Sequence, residues 1–483
     1  MGNKFLIYVY CGPQPPIEVD GIKYPNKIVK DQYQLLKDLG INTIYGQCDI
    51  MNTETEEYAF RALTICCELE IDYFVKDLIA REYCSLGEKM FKKYQFKDFR
   101  KLTESEKKEL DERFKSSILR YGKYKSFKGI IFVDEPGMEM FEGISRACEV
   151  FKSVYPDKIF LVNHYPYNTN QRDYQFSVWQ DNGKDPLRKE LEFKLDKNKA
   201  SYDGFYMHNN VEKYEFFIND FFSRVDTNVF SYDLYPFRDW YGYETLVMRG
   251  IYEMPLIANE LCKKYNLEYW QFLQCGGLWD DHAKVTTFAD VQLSVSLAMA
   301  LGAKGMQLYT GCFPNDCLPR VKEISGVIDE YGNITNQYNF YRYAFRQAKA
   351  IECYLVPAVL KKVILDGEYY DKTPDVEGLK ALDVSDIYKG KFPIYGNYET
   401  RQYNELVSVE SDYQVLVSCF ELNGKSLFMV VNTSPLITSS AKLNFDKERE
   451  LVIIQGGCTF KINTKSFKIR NLPAGENLLI ICN

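Results

Sequence analysis

Two adjacent acidic residues, Asp134 and Glu135, end a run of β-forming residues in the stretch GIIFVDEPG. A carboxyl group at the mouth of a buried strand loses part of its hydration, and this raises its pKa. Such a group can hold a proton near neutral pH and donate it as a general acid. We therefore predict that Glu135 is a general acid and that Asp134 binds a substrate hydroxyl or orients the acid. The alternative is that both residues only cap the following helix, whose N-terminus favours negative charge.

Polar and aromatic side chains also follow the other predicted strands. These strand-end candidates are Gln47, Asp49, Lys76, Asp77, Asn163, His164, Tyr165, Tyr232, Asp233, Tyr235, Gln271, Gln274, Gln307 and Tyr309. Carboxylates, amides and tyrosines suit the recognition of many hydroxyl groups, and a carboxylic acid can protonate a leaving oxygen. The combination therefore predicts glycoside chemistry. Trp240 follows the sixth predicted strand, where a flat ring can stack on a sugar face.

The composition excludes several other classes of function. The chain has 483 residues, and 60 Lys and Arg against 67 Asp and Glu give a net charge of −7 with no basic block. We expect no nucleic-acid or membrane partner, since both need a positive surface, and a carbohydrate fits better. The three histidines, His164, His208 and His282, do not form a zinc-binding pattern. No metal or other cofactor is predicted.

The elements that must position these residues alternate between short apolar runs and segments of helical period. Eight predicted strands begin with FLIYVY near residue 5 and end with KGMQLYTG near residue 304, and a helical segment follows each. This pattern predicts an α/β fold, a closed (β/α)8 TIM barrel in residues 1–354. In such a barrel the loops after the strands converge at one end, so the strand-end residues should meet there.

The period changes to two after the barrel. YQVLVSCF and KSLFMVVN flank Asn423 and Gly424, which is the signal of a β-hairpin, and further short strands follow. Residues 355–483 are therefore predicted to form a C-terminal antiparallel β-sandwich domain.

Four stretches, VDEPG, SYDLYPF, YWQFLQ and SLAMALGAKGMQLYTG, resemble clan A glycoside hydrolases, close to the barrel-type β-galactosidases. The resemblance implies that Glu135 stands at the acid/base position and that Asp134 stands where the clan usually has Asn. It also implies that residues 232–236 form the aromatic segment of strand six. The clan's nucleophile is a Glu at the end of strand seven, where this chain has Gln271 and Gln274.

A neutral amide cannot form a glycosyl ester, so three hypotheses stay open. The second carboxylate comes from elsewhere, with Asp233 as the first choice and Asp280 or Asp281 next; the enzyme inverts configuration; or catalysis is lost and the barrel only binds sugar. A carboxyl separation of roughly 6.5 to 9.5 Å fits inversion and about 5 to 5.5 Å fits retention. Gln274 also has a structural interpretation, as a buried amide that bridges backbone groups.

The sequence thus predicts a glycosidase with Glu135 and Asp233 as catalytic residues, and a catalytically inactive carbohydrate-binding barrel is the alternative. The predicted substrate-binding residues are Gln47, Asp134, His164, Tyr235, Trp240, Gln274, Asp280 and Tyr309. No stretch is long enough to span a bilayer. The location stays open between the cytoplasm and secretion with a removed signal peptide, and the oligomeric state also stays open.

Overall fold

A computed structural model describes residues 4–84, 99–166, 211–240, 243–246, 248–276, 284–318, 326–367 and 402–483. The strands of its first part are β1 (Leu6–Val9), β2 (Ile17–Val19), β3 (Ile22–Tyr24), β4 (Thr43–Ile50), β5 (Asp72–Asp77), β6 (Phe127–Asp134), β7 (Ile159–His164), β8 (Val229–Tyr232), β9 (Phe237–Trp240), β10 (Tyr243–Leu246), β11 (Glu268–Gln274) and β12 (Gly305–Tyr309). Eight of them close a parallel barrel in the order β1, β12, β11, β8, β7, β6, β5, β4. The predicted barrel is therefore confirmed.

Eight α-helices lie in the described part of the chain. They are α1 (Lys30–Leu39), α2 (Glu56–Leu69), α3 (Glu104–Gly122), α4 (Phe141–Val154), α5 (Val211–Arg224), α6 (Met248–Tyr265), α7 (Phe288–Ala300) and α8 (Asn336–Leu355). Short 3-10 turns occupy Ile79–Tyr83, Phe99–Lys101, Met138–Met140 and Asn315–Cys317. The start of α7 is a capping box, because the Thr287 hydroxyl accepts from the Asp290 amide and the Asp290 carboxylate accepts from the Thr287 amide.

One helix begins later than the sequence suggests. The helical period after the sixth predicted strand predicts a helix over residues 243–265. The structure differs, because residues 243–246 pair with residues 237–240 as the antiparallel hairpin of β9 and β10, and α6 starts at Met248. The aromatic and β-branched side chains of this segment favour a paired strand over a helix.

The barrel interior is filled by side chains that alternate along the strands, and it is a packed core. Tyr8, Phe74 and Trp270 lie there. The ring centroid of Phe74 is 5.8 Å from that of Tyr8 and 6.2 Å from that of Trp270. Gly305 makes room for the indole, because a Cβ at this position would lie 2.5 Å from the Trp270 ring. The next inward positions toward the carboxyl ends of the strands form the mouth of the barrel.

The C-terminal strands are β13 (Val359–Asp366), β14 (Leu406–Ser411), β15 (Val415–Leu422), β16 (Lys425–Asn432), β17 (Ser439–Gln455), β18 (Cys458–Leu472) and β19 (Asn477–Cys482). They form one antiparallel sheet whose two end strands, β13 and β14, contact each other. The sheet thus closes on its own core, as in a β-sandwich. The hairpin turn at Asn423 and Gly424 has positive φ at both residues, as the sequence predicts.

The sheet packs on the barrel through α7. Every residue of α7 from Asp290 to Ala300 is buried, and the outer face of the sheet belongs to the same apolar core as the barrel helices. Asn477 donates to the Ser296 hydroxyl (2.8 Å), and that hydroxyl donates to the Gly475 carbonyl (2.9 Å). No helix in the described ranges is long and apolar enough to cross a membrane.

Candidate active site

Asp134 and Glu135 both reach the mouth of the barrel because the backbone turns between them. Neighbouring strand residues point to opposite faces, so a continued strand would place only one of the two side chains in the mouth. Glu135 instead adopts a left-handed conformation with φ of 48°, and its amide donates to the Asn163 carbonyl at 2.8 Å. This conformation is unfavourable for a residue with a Cβ atom and is common at functional sites.

Asn163, at the end of β7, joins two carboxylates of the mouth. Its Nδ2 donates to Asp134 Oδ1 at 2.8 Å and to Asp233 Oδ1 at 2.9 Å. Since both oxygens contact one nitrogen, they are less than about 6 Å apart. Asp134 and Asp233 therefore form one acidic cluster, although they come from strands β6 and β8, which are separated in the barrel by β7.

A chain of hydrogen bonds inside the barrel fixes the orientation of this amide. The Ser231 hydroxyl donates to Asn163 Oδ1 at 2.7 Å, so the amide nitrogen must face the carboxylates. Gln307 Nε2 in turn donates to the Ser231 hydroxyl at 2.7 Å. Three neighbouring interior positions thus hold the clustered acids in place.

Glu135 completes the cluster through a hydrogen bond from its carboxyl group to the Asp233 carboxylate. Two carboxyl groups can share a hydrogen bond only when one of them carries a proton. The cluster of Asp134, Glu135 and Asp233, hereafter the carboxyl triad, therefore holds at least one proton.

The pKa values of the triad reflect its burial. Burial and, to a smaller extent, the nearby Asp233 charge raise the pKa of Asp134 to about 7, against hydrogen bonds from Asn163 and Tyr10. Burial also raises the pKa of Asp233, against hydrogen bonds from Glu135, Asn163 and Tyr235. Two interacting acids of this kind titrate as a unit and not independently.

Aromatic side chains surround the triad. The Tyr10 hydroxyl donates to Asp134 Oδ2 at 3.3 Å, and the Tyr235 hydroxyl donates to Asp233 Oδ1 at 3.0 Å. The Tyr309 ring lies 5.7 Å from Tyr10 and 5.6 Å from Tyr235, centroid to centroid. Phenol rings with ordered hydroxyls give this wall both apolar and hydrogen-bonding surface.

His164 does not lie in the mouth, so its predicted role in substrate binding does not fit the structure. It follows the inward-facing Asn163, and its fully buried ring points outward against Phe217, Phe221 and Phe230. Burial lowers the pKa of His164 to about 3. The strand alternation, which the sequence contains, decides this placement.

Gln274 also has no amide group left for a sugar. Its Nε2 donates to the carbonyls of Phe237 (2.9 Å), Lys284 (3.1 Å) and Gly276 (3.3 Å), and its Oε1 accepts from the Phe237 amide (3.0 Å). The structural interpretation of this residue therefore fits, and the predicted substrate contact does not.

The remaining predicted residues differ in what the structure says of them. Gln47 is half-buried at the end of β4, with its Nε2 3.5 Å from Cys11 Sγ. Trp240 ends β9, and its side chain lies outside the described set, as does that of Asp49. Asp280 and Asp281 lie outside the described residues. Asp77 faces the helices, where Ser117 and Tyr121 donate to it.

Asn163 was predicted only as one of the strand-end residues, and Tyr10 was not predicted. Tyr10 lies two positions after the interior residue Tyr8, so inward parity was the available signal for it. No signal in the sequence pairs Asn163 with two acids from other strands. Among the described residues, no group of three or more His, Cys, Asp or Glu side chains is placed to hold a metal ion.

No family model and no curated protein matches this sequence. Solved structures that are similar include an α-L-fucosidase isoenzyme 2 from Paenibacillus thiaminolyticus, with 8% identity, a TM-score of 0.49, and 99% of both chains covered. A family 5 glycoside hydrolase from Bacteroides vulgatus has 11% identity and a TM-score of 0.46 over 99% of this chain and 88% of its own. A β-galactosidase from the psychrophilic Marinomonas ef1 has 9% identity and a TM-score of 0.46, and the match covers 71% of this chain and 60% of that enzyme.

Proposed function

We propose that the protein is a glycoside hydrolase in which Glu135 is the general acid. The observation that carries this proposal is the hydrogen bond from Glu135 to Asp233, because it requires a proton on a carboxyl group at the mouth of a barrel. Cleavage of a glycosidic bond needs such a proton on the leaving oxygen. General acid catalysis of this kind contributes typically about 10²- to 10⁴-fold in rate.

Asp233 serves as the second carboxylate in this proposal, and its contacts suit a partner of the acid. It accepts from Glu135, from Asn163 and from Tyr235, and these hydrogen bonds favour its ionised form against the rise in pKa that burial causes. When a glycoside enters, its leaving oxygen replaces Asp233 as the acceptor of the Glu135 proton. Asn163 and Tyr235, which donate to Asp233, then keep that carboxylate in place beside the newly ionised Glu135.

The substrate side of the proposal is a carbohydrate that lies against the aromatic wall. The rings of Tyr235 and Tyr309 lie 5.6 Å apart beside the triad, the Tyr235 hydroxyl contacts Asp233, and Asp134 supplies an acceptor for a sugar hydroxyl group. Gln47 lies near the same edge of the barrel. Trp240 and Asp280 are proposed as further sugar contacts from their sequence positions alone.

The alternative is a barrel that binds sugar without hydrolysing it. It is favoured by one observation, the engagement of the Gln274 amide at the end of β11 by backbone groups alone. A protein of this kind would bind oligosaccharides through the same wall and release no product.

The test compares wild type with Glu135→Gln on α- and β-glycosides that carry leaving groups of different acidity. We expect Glu135→Gln to lower kcat/KM for phenyl glycosides by on the order of 10²-fold or more, and to lower it much less for 2,4-dinitrophenyl glycosides, which leave without a proton. Glu142→Gln is the matched control, because Glu142 is an exposed carboxylate on α4 with only a surface ion pair to Lys107.

Equal loss on both leaving groups, or none on either, would contradict the role of Glu135 as the acid. Sugar binding by wild type with no release from any glycoside would favour the binding protein. Calorimetry with the same sugars on the Glu135→Gln variant separates loss of chemistry from loss of binding.

A further inference from the structure

Three buried polar side chains lie inside the barrel next to the carboxyl triad and are joined by hydrogen bonds. Gln307 Nε2 donates to the Ser231 hydroxyl at 2.7 Å, and this hydroxyl donates to Asn163 Oδ1 at 2.7 Å. Gln307 and Ser231 are fully buried, and Asn163 is 2% exposed. In such surroundings a hydrogen bond is electrostatically stronger than in water. The three residues are hereafter called the interior network.

The members of the interior network come from three different strands. Gln307 lies on β12, Ser231 on β8 and Asn163 on β7, and Ser231 pairs in register with Asn163. Strand β11 lies between β8 and β12, so the hydrogen bond from Gln307 crosses the barrel interior. The closed barrel therefore fixes the three groups relative to one another.

The hydrogen bonds of the interior network run in one direction, from Gln307 toward the acids. The Ser231 hydroxyl accepts from Gln307 and gives its single proton to Asn163 Oδ1. With its oxygen occupied in this way, the Asn163 amide points its nitrogen at Asp134 (2.8 Å) and Asp233 (2.9 Å). Hydrogen bonds from an N–H group favour the ionised form of the carboxyl group that accepts them.

We propose that Ser231 and Gln307 are positioning residues: acting through Asn163, they keep the two aspartates of the carboxyl triad ionised. The proton of the triad then stays on Glu135, where the cleavage of a glycosidic bond needs it. This inference rests on the proposed hydrolase function, and it adds the groups that decide which carboxyl group carries the proton.

The opposite orientation of Asn163 shows what the interior network prevents. A rotated amide would turn its oxygen toward the aspartates, and that oxygen could accept only from a protonated acid. Its nitrogen would then face the Ser231 hydroxyl, which would lose Asn163 as the acceptor of its proton. A buried hydroxyl without an acceptor is unfavourable. The interior network therefore disfavours protonation of the aspartates.

Burial acts against the interior network. It raises the pKa of Asp134 to about 7 and also raises the pKa of Asp233. The ionisable groups of the described residues that face this pair are Glu135, Tyr8, Tyr10 and Tyr235. Burial raises the pKa of the three tyrosines, so they stay neutral while the aspartates titrate. The hydrogen bonds from Asn163 thus oppose burial in setting the charge of the pair.

The experiment follows the carboxyl groups directly, through the infrared band of protonated acids in a pH titration of the full-length protein. The part of this band that belongs to the pair is the part that Asp134→Asn and Asp233→Asn remove. Ser231→Ala should raise the midpoint of this titration by about one pH unit, since one hydrogen bond to a charged group shifts a pKa by roughly that much.

Two further variants show whether the effect passes along the interior network. Gln307→Met keeps the length of the side chain and removes the donor, and it should raise the midpoint by less than Ser231→Ala. Tyr8→Phe is the matched control, because Tyr8 is buried in the same barrel interior and its hydroxyl has no hydrogen-bond partner among the described residues. This control should leave the midpoint unchanged.

The double variant separates positioning from a general loss of packing. If Gln307 acts only through Ser231, the double variant Ser231→Ala with Gln307→Met should shift the midpoint no further than Ser231→Ala alone. The acid limb of the pH profile of kcat/KM on phenyl glycosides should move up together with the midpoint. Additive shifts, or a shift in Tyr8→Phe as large as that in Ser231→Ala, would contradict the inference.

The titration and the activity can fail separately. An unchanged midpoint in folded Ser231→Ala and Gln307→Met would overturn the inference and leave the proposed hydrolase in place. If Ser231→Ala does not fold, the midpoint of Gln307→Met decides alone. A raised midpoint in a protein that releases no sugar from any glycoside would support the positioning of the aspartates and would remove the proposed hydrolase.

Discussion

His164 is a polar residue in an apolar environment. Its ring is fully buried against the phenylalanines of α5 and β8, and neither ring nitrogen has a hydrogen-bond partner among the described residues. Burial without a partner opposes the charged form, and the pKa falls to about 3. The residue therefore affects the stability of the barrel and not its chemistry.

We expect the free energy of unfolding to decrease as the pH is lowered. The His164→Leu variant should lack the part of this decrease that His164 causes. The unfolded chain binds the proton near pH 6.5 and the folded chain only near 3, so the free energy of unfolding decreases as pH falls between these values, by up to about 1.4 kcal/mol per pH unit. Urea unfolding at pH 7.5, 6 and 5 measures this. The gap between wild type and His164→Leu should widen toward low pH, and parallel curves would contradict the assignment.

The carbonyls around Gln274 show how one side chain ties several elements together. From the end of β11 it holds the start of β9 at Phe237 and the segment before α7 at Lys284. Three of its four contacts use the amide nitrogen as a donor to backbone oxygens. A carboxylate has no donor to offer these oxygens.

Gln274→Glu, which places a carboxylate at the end of β11, should therefore not create a nucleophile. We expect loss of roughly 3 kcal/mol or more in the free energy of unfolding, since a charge would be buried against carbonyl oxygens. Gln402→Glu, at an exposed position, is the control and should be neutral. Thermal and urea unfolding measure both variants. A Gln274→Glu variant as stable as wild type would show that this amide does not hold the loops.

The barrel and the C-terminal sheet share one core across α7. Ten apolar residues of the sheet belong to the barrel core and not to the separate core of the sheet. They are Leu360, Val363, Leu416, Phe420, Leu427, Met429, Val431, Ile454, Leu479 and Ile481. Burying each side chain of this size contributes about 1.5 to 3 kcal/mol, so together they contribute on the order of 10 kcal/mol, as much as the whole stability of a typical domain.

Residues 1–354 expressed alone should not give a native barrel. Without the sheet, the outer face of α7 is exposed to water and the Ser296 hydroxyl loses Asn477 and Gly475. We expect this fragment to aggregate, or to unfold without a cooperative transition in calorimetry. The full chain should unfold in one transition, and Asn477→Leu should lower its midpoint, because the variant leaves the buried Ser296 hydroxyl without its donor. A soluble fragment that melts like the full chain would contradict the shared core.

The sequence by itself determined the barrel, the C-terminal sheet and the position of Asp134 and Glu135 at the end of a barrel strand. Local signals were sufficient for these, because apolar period, capping boxes and turn residues act over a few positions of the chain. The run of β-forming residues before Asp134 and Glu135 also predicted that two carboxyl groups lie at a strand end. The start of α6 was missed because a short hairpin and a helix compete on similar residues there.

Only the tertiary structure decided which strand-end residues meet. Asn163 joins Asp134 to Asp233, and Glu135 turns out of its strand to reach the same group. Gln274 and His164 carry the residue types of ligands, yet one is used by the backbone and the other faces the helices. The physical reason is that inward or outward parity and contacts between distant strands depend on barrel register, and a residue type does not encode register.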